Sequence, residues 1–147
     1  MARAIVTLWL MGFWVPAVLA QDYCFEQAAA EYQVPAHWLW AIAKVESAFD
    51  PAATNTNTNG SVDFGVMQIN SWWVKKIGEQ GWAQLGDPCT NIRMGAYVLA
   101  DCLKRFGRNW QGIGCYNAVT PSKQLVYAKK VIPIILALES SHALGKP

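Results

Sequence analysis

Apolar side chains recur at helical spacing in the first third of the chain. The recurring positions are Trp38, Ala41, Ile42, Val45 and Phe49. A repeat of three to four residues places such side chains on one face of an α-helix. Pro35 suits the first turn of this helix, and the Asp50-Pro51 pair ends it. The pattern therefore predicts a helix between these limits.

Three other stretches have the composition or the periodicity of helices. They run from Cys24 to Tyr32, from Asn91 to Phe106 and from Ser122 to about Ser141. Gly107 follows the second stretch, where a glycine commonly ends a helix. Pro133 lacks an N–H and clashes with the preceding turn, so we expect it to kink or interrupt the third.

The middle of the chain is less regular. The segment from Thr54 to Gly60 alternates Thr and Asn, which favours a loop. Between Ser61 and Trp82 we expect a small β element near Val62 to Gln68 and a helix from Ser71 to Ile77. The whole pattern predicts a mainly α fold with about five or six helices and at most a small β-hairpin.

The first twenty residues predict a secretory signal peptide. Arg3 precedes an apolar run from Ala4 to Val15, then come Pro16 and the small residues of Val18-Leu19-Ala20. An uncleaved anchor is the alternative. Cleavage would leave one domain, residues 21–147, in which we expect no membrane span. We expect the protein to be exported, to a periplasmic or extracellular location.

Four cysteines follow the predicted cleavage site: Cys24, Cys89, Cys102 and Cys115. An even number of cysteines in an oxidising compartment indicates disulfides, and four cysteines allow three pairings. We favour Cys102 with Cys115, which closes a short loop, and Cys24 with Cys89. A metal site is less favoured because the chain has no CxxC pair and both histidines are distant from the cysteines. We expect no cofactor.

Charge excludes one class of function. The chain has 12 basic and 10 acidic side chains, and removal of Arg3 with the signal peptide brings it close to neutral. Nucleic-acid-binding proteins usually carry a clustered basic face, so nucleic acid is not an expected partner. The basic stretch Lys104-Arg105-Arg108 suits a helix end. It could also meet an anionic cell wall.

Glu46 is the strongest candidate for chemistry. It follows Ile42 by four residues and adjoins Val45, at the edge of the apolar helix face. Partial burial there would disfavour the carboxylate and raise its pKa. A carboxyl protonated near neutral pH can serve as a general acid. The alternative is an ordinary solvated glutamate in the last helical turn.

Several motifs occur in a diagnostic order. Glu46-Ser47 ends a helix, and Gly65-Val66-Met67-Gln68 follows a polar loop. The later segments are Asp87 to Ile92, Gly95 to Leu99 and Cys115-Tyr116-Asn117-Ala118. Over nearly all of residues 21–147 the sequence resembles the lysozyme-like lytic transglycosylases, specifically their soluble lytic transglycosylase domain. The resemblance implies a lysozyme-like α+β domain.

The resemblance also implies roles for individual residues. Glu46 would be the general acid and base, and Tyr116 would orient its carboxyl by a hydrogen bond. Gln68 and Asn117 would contact acetamido or hydroxyl groups of the sugars, and Met67 would help to wall a subsite. Tyr116 and Met67 have a simpler alternative as core packing. One departure from the family pattern is Val119, which replaces a glycine and could narrow the cleft or shift the next turn.

A second, local resemblance concerns Asp63. The stretch from Val45 to Trp73 is similar to the active-site region of c-type lysozymes, and Asp63 lies where those enzymes have their second carboxylate. Retaining glycosidases use two carboxyl groups, one as acid and one as nucleophile or ion stabiliser. Asp63 is thus either a second catalytic carboxylate or a turn-forming residue. In the tryptophan pair Trp72-Trp73, one member is expected to wall the cleft, whereas Trp38 is expected to be structural.

The predicted function is a peptidoglycan lytic transglycosylase. It would cleave the β-1,4 bond between N-acetylmuramic acid and N-acetylglucosamine and leave 1,6-anhydromuramic ends. The resemblance is closest to small members that open the wall for conjugation, secretion or type IV pilus machines, so components of such a machine are expected partners. The alternatives are a lysozyme-type hydrolase that uses Glu46 and Asp63 and a non-catalytic peptidoglycan-binding component of the machine.

Overall fold

A computed structural model of the protein describes residues 23–144, with side chains described as far as residue 141. The predicted signal peptide lies outside these residues. The described chain contains six α-helices. They are α1 (Phe25–Tyr32), α2 (Ala36–Ser47), α3 (Val74–Gln84), α4 (Pro88–Phe106), α5 (Trp110–Cys115) and α6 (Pro121–Leu144). None of the helices in this part of the chain combines the length and the apolar character that a membrane crossing needs.

A small antiparallel sheet joins α2 to α3. Its strands, in the spatial order β1-β2-β3, are β1 (Thr54–Thr56), β2 (Val62–Phe64) and β3 (Ile69–Asn70). At most a two-stranded hairpin was predicted, with a loop over residues 54–60. The sheet has a third strand, β1, which lies inside that predicted loop. Each strand has only two or three residues, too few to show the two-residue alternation by which strands are recognised. The register places Asp63 between Asn55 and Asn70.

The helix from Ser71 to Ile77 was predicted with the wrong limits. Residues 71–73 form a 3-10 turn that Asn70 caps, because its side chain accepts a hydrogen bond from the Trp72 N–H. The α-helix that follows continues to Gln84. It contains a break at Gly78, whose φ of 71° lies outside the helical region. A glycine tolerates this backbone conformation without steric cost.

Helix α6 runs through Pro133 without interruption. The predicted interruption was therefore wrong. Pro133 is exposed, and buried Val131 and Ile135 hold the helix against the core on either side of it. Loss of a single helical hydrogen bond is tolerated here because tertiary packing supplies most of the stability of a helix.

Both ends of α4 follow their sequence signals. Asp87 caps α4, since its carboxylate accepts a hydrogen bond of 2.7 Å from the Thr90 N–H. Gly107 follows α4 with a φ of 82°, as predicted for its C-cap position. Helix α2 ends at Ser47, before the predicted stop at Asp50-Pro51, because Ala48 adopts the left-handed conformation. Glu46 therefore lies in the last turn of α2.

Helix α4 forms the centre of the core. Ile92, Ala96 and Leu99 are fully buried along one of its faces. The predicted disulfide pairing is confirmed. Cys24–Cys89 joins the starts of α1 and α4, and Cys102–Cys115 joins α4 to the end of α5. These links join α4 to α1 and to α5, and both α1 and α4 pack against α2.

Candidate active site

A cleft of about 490 Å³ opens between the sheet and the helices. Its volume lies in the range of ordinary ligand sites. Most of the side chains that line it carry amide or hydroxyl groups. The lining residues are Glu46, Asn57, Thr58, Asn59, Ser61, Asp63, Gln68, Ile69, Asn70, Trp73, Val98, Tyr116, Asn117 and Lys123. The sequence-predicted residues Glu46, Asp63, Gln68, Tyr116 and Asn117 thus come together, and Met67 does not join them.

The carboxyl group of Glu46 is largely removed from solvent. The pKa of this carboxyl group is raised from 4.5 to about 7, mainly by burial and to a smaller extent by the negative charge of Asp63. A hydrogen bond from Tyr127 and the positive charge of Lys130 act in the opposite direction. A carboxyl group with this pKa is protonated in a substantial fraction of molecules near neutral pH. It can donate a proton and take one back, which is what general acid and base catalysis needs.

Tyr127 holds the Glu46 carboxyl in place. Its hydroxyl donates a hydrogen bond of 2.5 Å to Oε1 of Glu46. This hydrogen bond was predicted for Tyr116, but in the structure it comes from Tyr127. The Tyr116 hydroxyl instead donates to the Met67 carbonyl at 2.9 Å. The Tyr116 ring stacks on the Tyr127 ring, with 6.4 Å between their centroids. Tyr116 therefore helps to position Tyr127, which in turn holds Glu46.

Met67 belongs to the core. Its side chain is fully buried and packs so closely on Gly95 that a Cβ added there would lie 2.6 Å from the Met67 Cε. The predicted role of Met67 in walling a subsite is therefore wrong. The Met67 backbone instead helps to fix the residues around the site. Its N–H donates a hydrogen bond to the Asn91 side chain, and its carbonyl accepts one from the Tyr116 hydroxyl.

The turn that carries Gln68 is held by buried hydrogen bonds. Gly65 has a φ of 78°, and a Cβ there would lie 2.3 Å from the Asn91 side chain, so the position requires glycine. The Ser47 hydroxyl donates to the Val66 carbonyl at 2.8 Å. This bond ties the turn to the end of α2, next to Glu46.

Gln68 presents one half of its amide to the cleft. Its Nε2 donates to the carbonyls of Ala53 and Gly65 at 3.1 and 2.9 Å. The amide oxygen is thus the group available to a ligand, and it can accept a hydrogen bond from a sugar hydroxyl or acetamido N–H. Asn117 lines the same cleft, whereas Val119 is 93% exposed and does not narrow it.

Asp63 is fixed by three asparagine side chains. Its carboxylate accepts amide hydrogen bonds from Asn70 at 2.6 Å, Asn57 at 2.8 Å and Asn55 at 3.3 Å. Asn55 and Asn70 lie opposite it on the neighbouring strands. Asp63 is therefore an oriented carboxylate that faces the cleft, and its charge acts on Glu46 across it.

Trp73 is the member of the tryptophan pair that lines the cleft. Its ring packs against that of Tyr97, while Trp72 is 52% exposed beside it. Trp38 packs against the core, in agreement with its predicted structural role. Among the side chains of residues 23–141, no three His, Cys, Asp or Glu come together in an arrangement that could hold a metal ion.

Six helices, a small sheet and a partly buried glutamate at the end of a helix define a lysozyme-like domain. The sequence profile described as "Transglycosylase SLT domain" matches residues 23–130. The chain belongs to this family of peptidoglycan lytic transglycosylases. Lytic transglycosylase Slt from Pseudomonas aeruginosa, solved as an inactive mutant, superposes with a TM-score of 0.63 at 20% identity. The match covers 84% of this chain and 24% of that chain, so it shows the fold alone.

Three curated relatives are similar over most of their length. Invasion protein IagB of Salmonella typhimurium is 37% identical over 86% of this chain and 81% of its own. Protein IpgF of Shigella flexneri is 36% identical over 77% of this chain and 79% of its own. A peptidoglycan-binding-like protein of Escherichia coli O157:H7 is 31% identical over 86% of each chain.

Removal of the Tyr127 hydroxyl should change the pH dependence of activity. In Tyr127→Phe the hydrogen bond that favours the Glu46 carboxylate is lost, so the pKa of Glu46 rises above its value of about 7. We expect kcat to fall about tenfold, as the carboxyl loses its orientation, and the basic limb of the pH–rate profile to move to higher pH. The profile is measured by release of soluble peptidoglycan fragments.

Tyr97→Phe is the matched control, since Tyr97 lies outside the cleft lining. It should leave the profile in place. An unchanged basic limb in Tyr127→Phe would show that Tyr127 does not set the protonation of Glu46.

Proposed function

We propose that this protein cleaves the β-1,4 bond between N-acetylmuramic acid and N-acetylglucosamine and leaves 1,6-anhydromuramic ends. Family membership supports the reaction class. The observation that carries the proposal is the partly buried Glu46, which is held by Tyr127 and whose pKa of about 7 fits a group that must act first as an acid and then as a base.

In the proposed reaction Glu46 takes part in two steps. Its carboxyl donates a proton to the leaving O4 of N-acetylglucosamine as the bond from that oxygen to C1 of muramic acid breaks. The resulting carboxylate then takes the proton of the muramic acid 6-hydroxyl, whose oxygen bonds to C1. No atom is gained or lost, and Glu46 returns to its starting state. Tyr127 holds Oε1 throughout, which keeps the proton acceptor at one place.

Asp63 supports this reaction by electrostatics. Its carboxylate faces the cleft and is anchored by three amides. Glycosidic cleavage passes through a transition state with positive charge at the anomeric carbon. A fixed negative charge stabilises that state without a covalent bond to it.

Asp63→Asn tests this role. We expect kcat to fall about tenfold, less than for loss of a fully buried group because the cleft is open to solvent and salt. Anhydromuramic ends should remain the products. Loss of all activity would instead indicate a nucleophile, and reducing muramic ends from the wild-type protein would indicate a lysozyme-type hydrolase that uses Asp63. Asn59→Asp, which adds a carboxylate at another part of the cleft lining, serves as the control for charge alone.

Borohydride reduction distinguishes the two enzyme functions. Reducing muramic ends take up hydrogen and gain mass, whereas 1,6-anhydro ends do not react. We expect the soluble fragments that the wild-type protein releases to be unchanged in mass by borohydride. Binding of peptidoglycan without any released fragment would support the third candidate, a non-catalytic wall-binding component.

We propose further that this activity opens the wall locally for an envelope-spanning secretion, conjugation or pilus machine. The similarity to a relative named as an invasion protein supports this placement. It implies that the protein acts where peptidoglycan lies, in the periplasm or outside the cell. Co-purification of machine components with the protein after cross-linking in cells tests the proposal.

A further inference from the structure

The cleft lining contains one positively charged side chain. Of the fourteen lining residues, ten present neutral groups, mostly amides and hydroxyls, that suit uncharged sugars. Two more, Glu46 and Asp63, present carboxyl groups. Tyr116 completes the set with its hydroxyl turned to a backbone carbonyl. The cation is Lys123, whose ammonium group can donate hydrogen bonds to sugar hydroxyls but forms its strongest hydrogen bonds with an anionic acceptor. Its position in the cleft lining therefore favours a ligand of opposite charge.

Lys123 lies on the same face of α6 as the residue that holds the catalytic carboxyl. Lys123, Tyr127 and Lys130 are spaced by four and three residues, which brings their side chains to one side of a helix. Tyr127 reaches Glu46 directly, and Lys130 lies near enough to lower the pKa of Glu46. Lys123 therefore extends this face of α6 by one turn along the cleft.

Lys123 is available to a ligand. Its side chain is exposed, and no acidic side chain in residues 23–141 forms an ion pair with it. The other two ionic groups of the cleft are acidic, so without Lys123 the lining would carry only negative charge and repel an anionic substrate. A lysine ammonium is a point charge on a flexible stem, which suits a carboxylate on a mobile chain.

We propose that Lys123 binds a carboxylate of the peptide stem that is attached to muramic acid, and that it makes the enzyme selective for strands with anionic stems. This inference rests on the proposed function. The sugar rings of the glycan are neutral, and the stem is the part of peptidoglycan that carries free carboxylates. Lys123 is thus a specificity residue that contacts the substrate away from the bond that breaks.

The test compares two substrates that differ only in charge. Soluble, uncross-linked peptidoglycan strands are used as they are or after their stem carboxylates have been converted to methylamides with a carbodiimide and excess methylamine. With protein purified after expression of the full-length chain, Lys123→Ala should raise KM for the native strands about two- to fivefold, the range for a solvent-exposed ion pair. It should leave KM for the amidated strands and both kcat values unchanged.

Two variants complete the design. Lys123→Arg keeps the charge and should restore the wild-type KM. Lys129→Ala removes an exposed lysine of α6 outside the cleft lining and should leave KM unchanged for both substrates. An equal rise in KM on both substrates, or no rise on either, would overturn the proposal. Cleavage of both substrates by the wild-type protein establishes the activity separately, so a failure of the Lys123 assignment is read from the variants alone.

Discussion

Replacement of Glu46 by glutamine is expected to abolish cleavage. Glutamine keeps the size of the side chain and can still accept the Tyr127 hydrogen bond, but it neither donates nor takes the catalytic proton. General acid or base catalysis by a positioned group contributes about 100- to 10,000-fold, and Glu46 serves in both directions, so we expect kcat to fall at least about a thousandfold. The rate of release of soluble fragments from peptidoglycan measures the effect.

The folded state of the Glu46→Gln protein provides the control. Because burial raises the pKa of Glu46 from 4.5 to about 7, the folded protein binds more protons than the unfolded chain between these two pH values. The stability of the wild-type protein therefore falls as pH rises through this range. The glutamine side chain does not titrate, so the variant does not lose stability in this way. The variant should unfold at the same temperature as the wild type or a higher one at pH 8. Wild-type cleavage by this variant would refute the role of Glu46.

Replacement of Asn91 by leucine is expected to destabilise the domain severely. Asn91 is fully buried in α4, and its amide satisfies three backbone groups. It accepts from the Met67 N–H at 2.8 Å and donates to the carbonyls of Phe64 and Leu85 at 3.0 and 3.3 Å. Leucine satisfies none of them.

Each buried polar group left without a partner costs about 1–3 kcal/mol, so we expect the free energy of unfolding to fall by about 3–5 kcal/mol. This is a large part of the total stability of an ordinary domain. Denaturant titration with the disulfides intact measures the loss. Asn117→Leu makes the same chemical change at an exposed position and should shift the unfolding midpoint little. A loss below about 0.5 kcal/mol in Asn91→Leu, the level of ordinary surface substitutions, would contradict this account of the turn.

Much of the fold and part of the site follow from local sequence signals. The apolar stripe of α2 predicts both the helix and the partly buried position of Glu46 at its edge. The caps of α4 are equally local. Each of these features is set by residues within a few positions of one another, which is the range over which periodicity and capping rules apply.

The remaining features depend on how distant segments pack. Tyr127 meets Glu46 across 81 positions of sequence, and that contact exists only because α6 lies against α2. The motif around Met67 predicts a functional turn, but it does not reveal that the Met67 side chain points into the core while its carbonyl serves Tyr116. A tyrosine on the buried face of a helix was the one available signal for Tyr127, since a buried hydroxyl needs a partner.

Digestion of peptidoglycan in water enriched in oxygen-18 tests the central claim most directly. A transglycosylase closes the 6-hydroxyl onto C1 and adds no water, whereas a hydrolase places a water oxygen at C1. For the wild-type protein we predict muramic ends that lack the label and have the mass of the anhydro form, with no such fragments from Glu46→Gln. Labelled reducing ends from the wild-type protein would contradict the account and assign the protein a hydrolytic function.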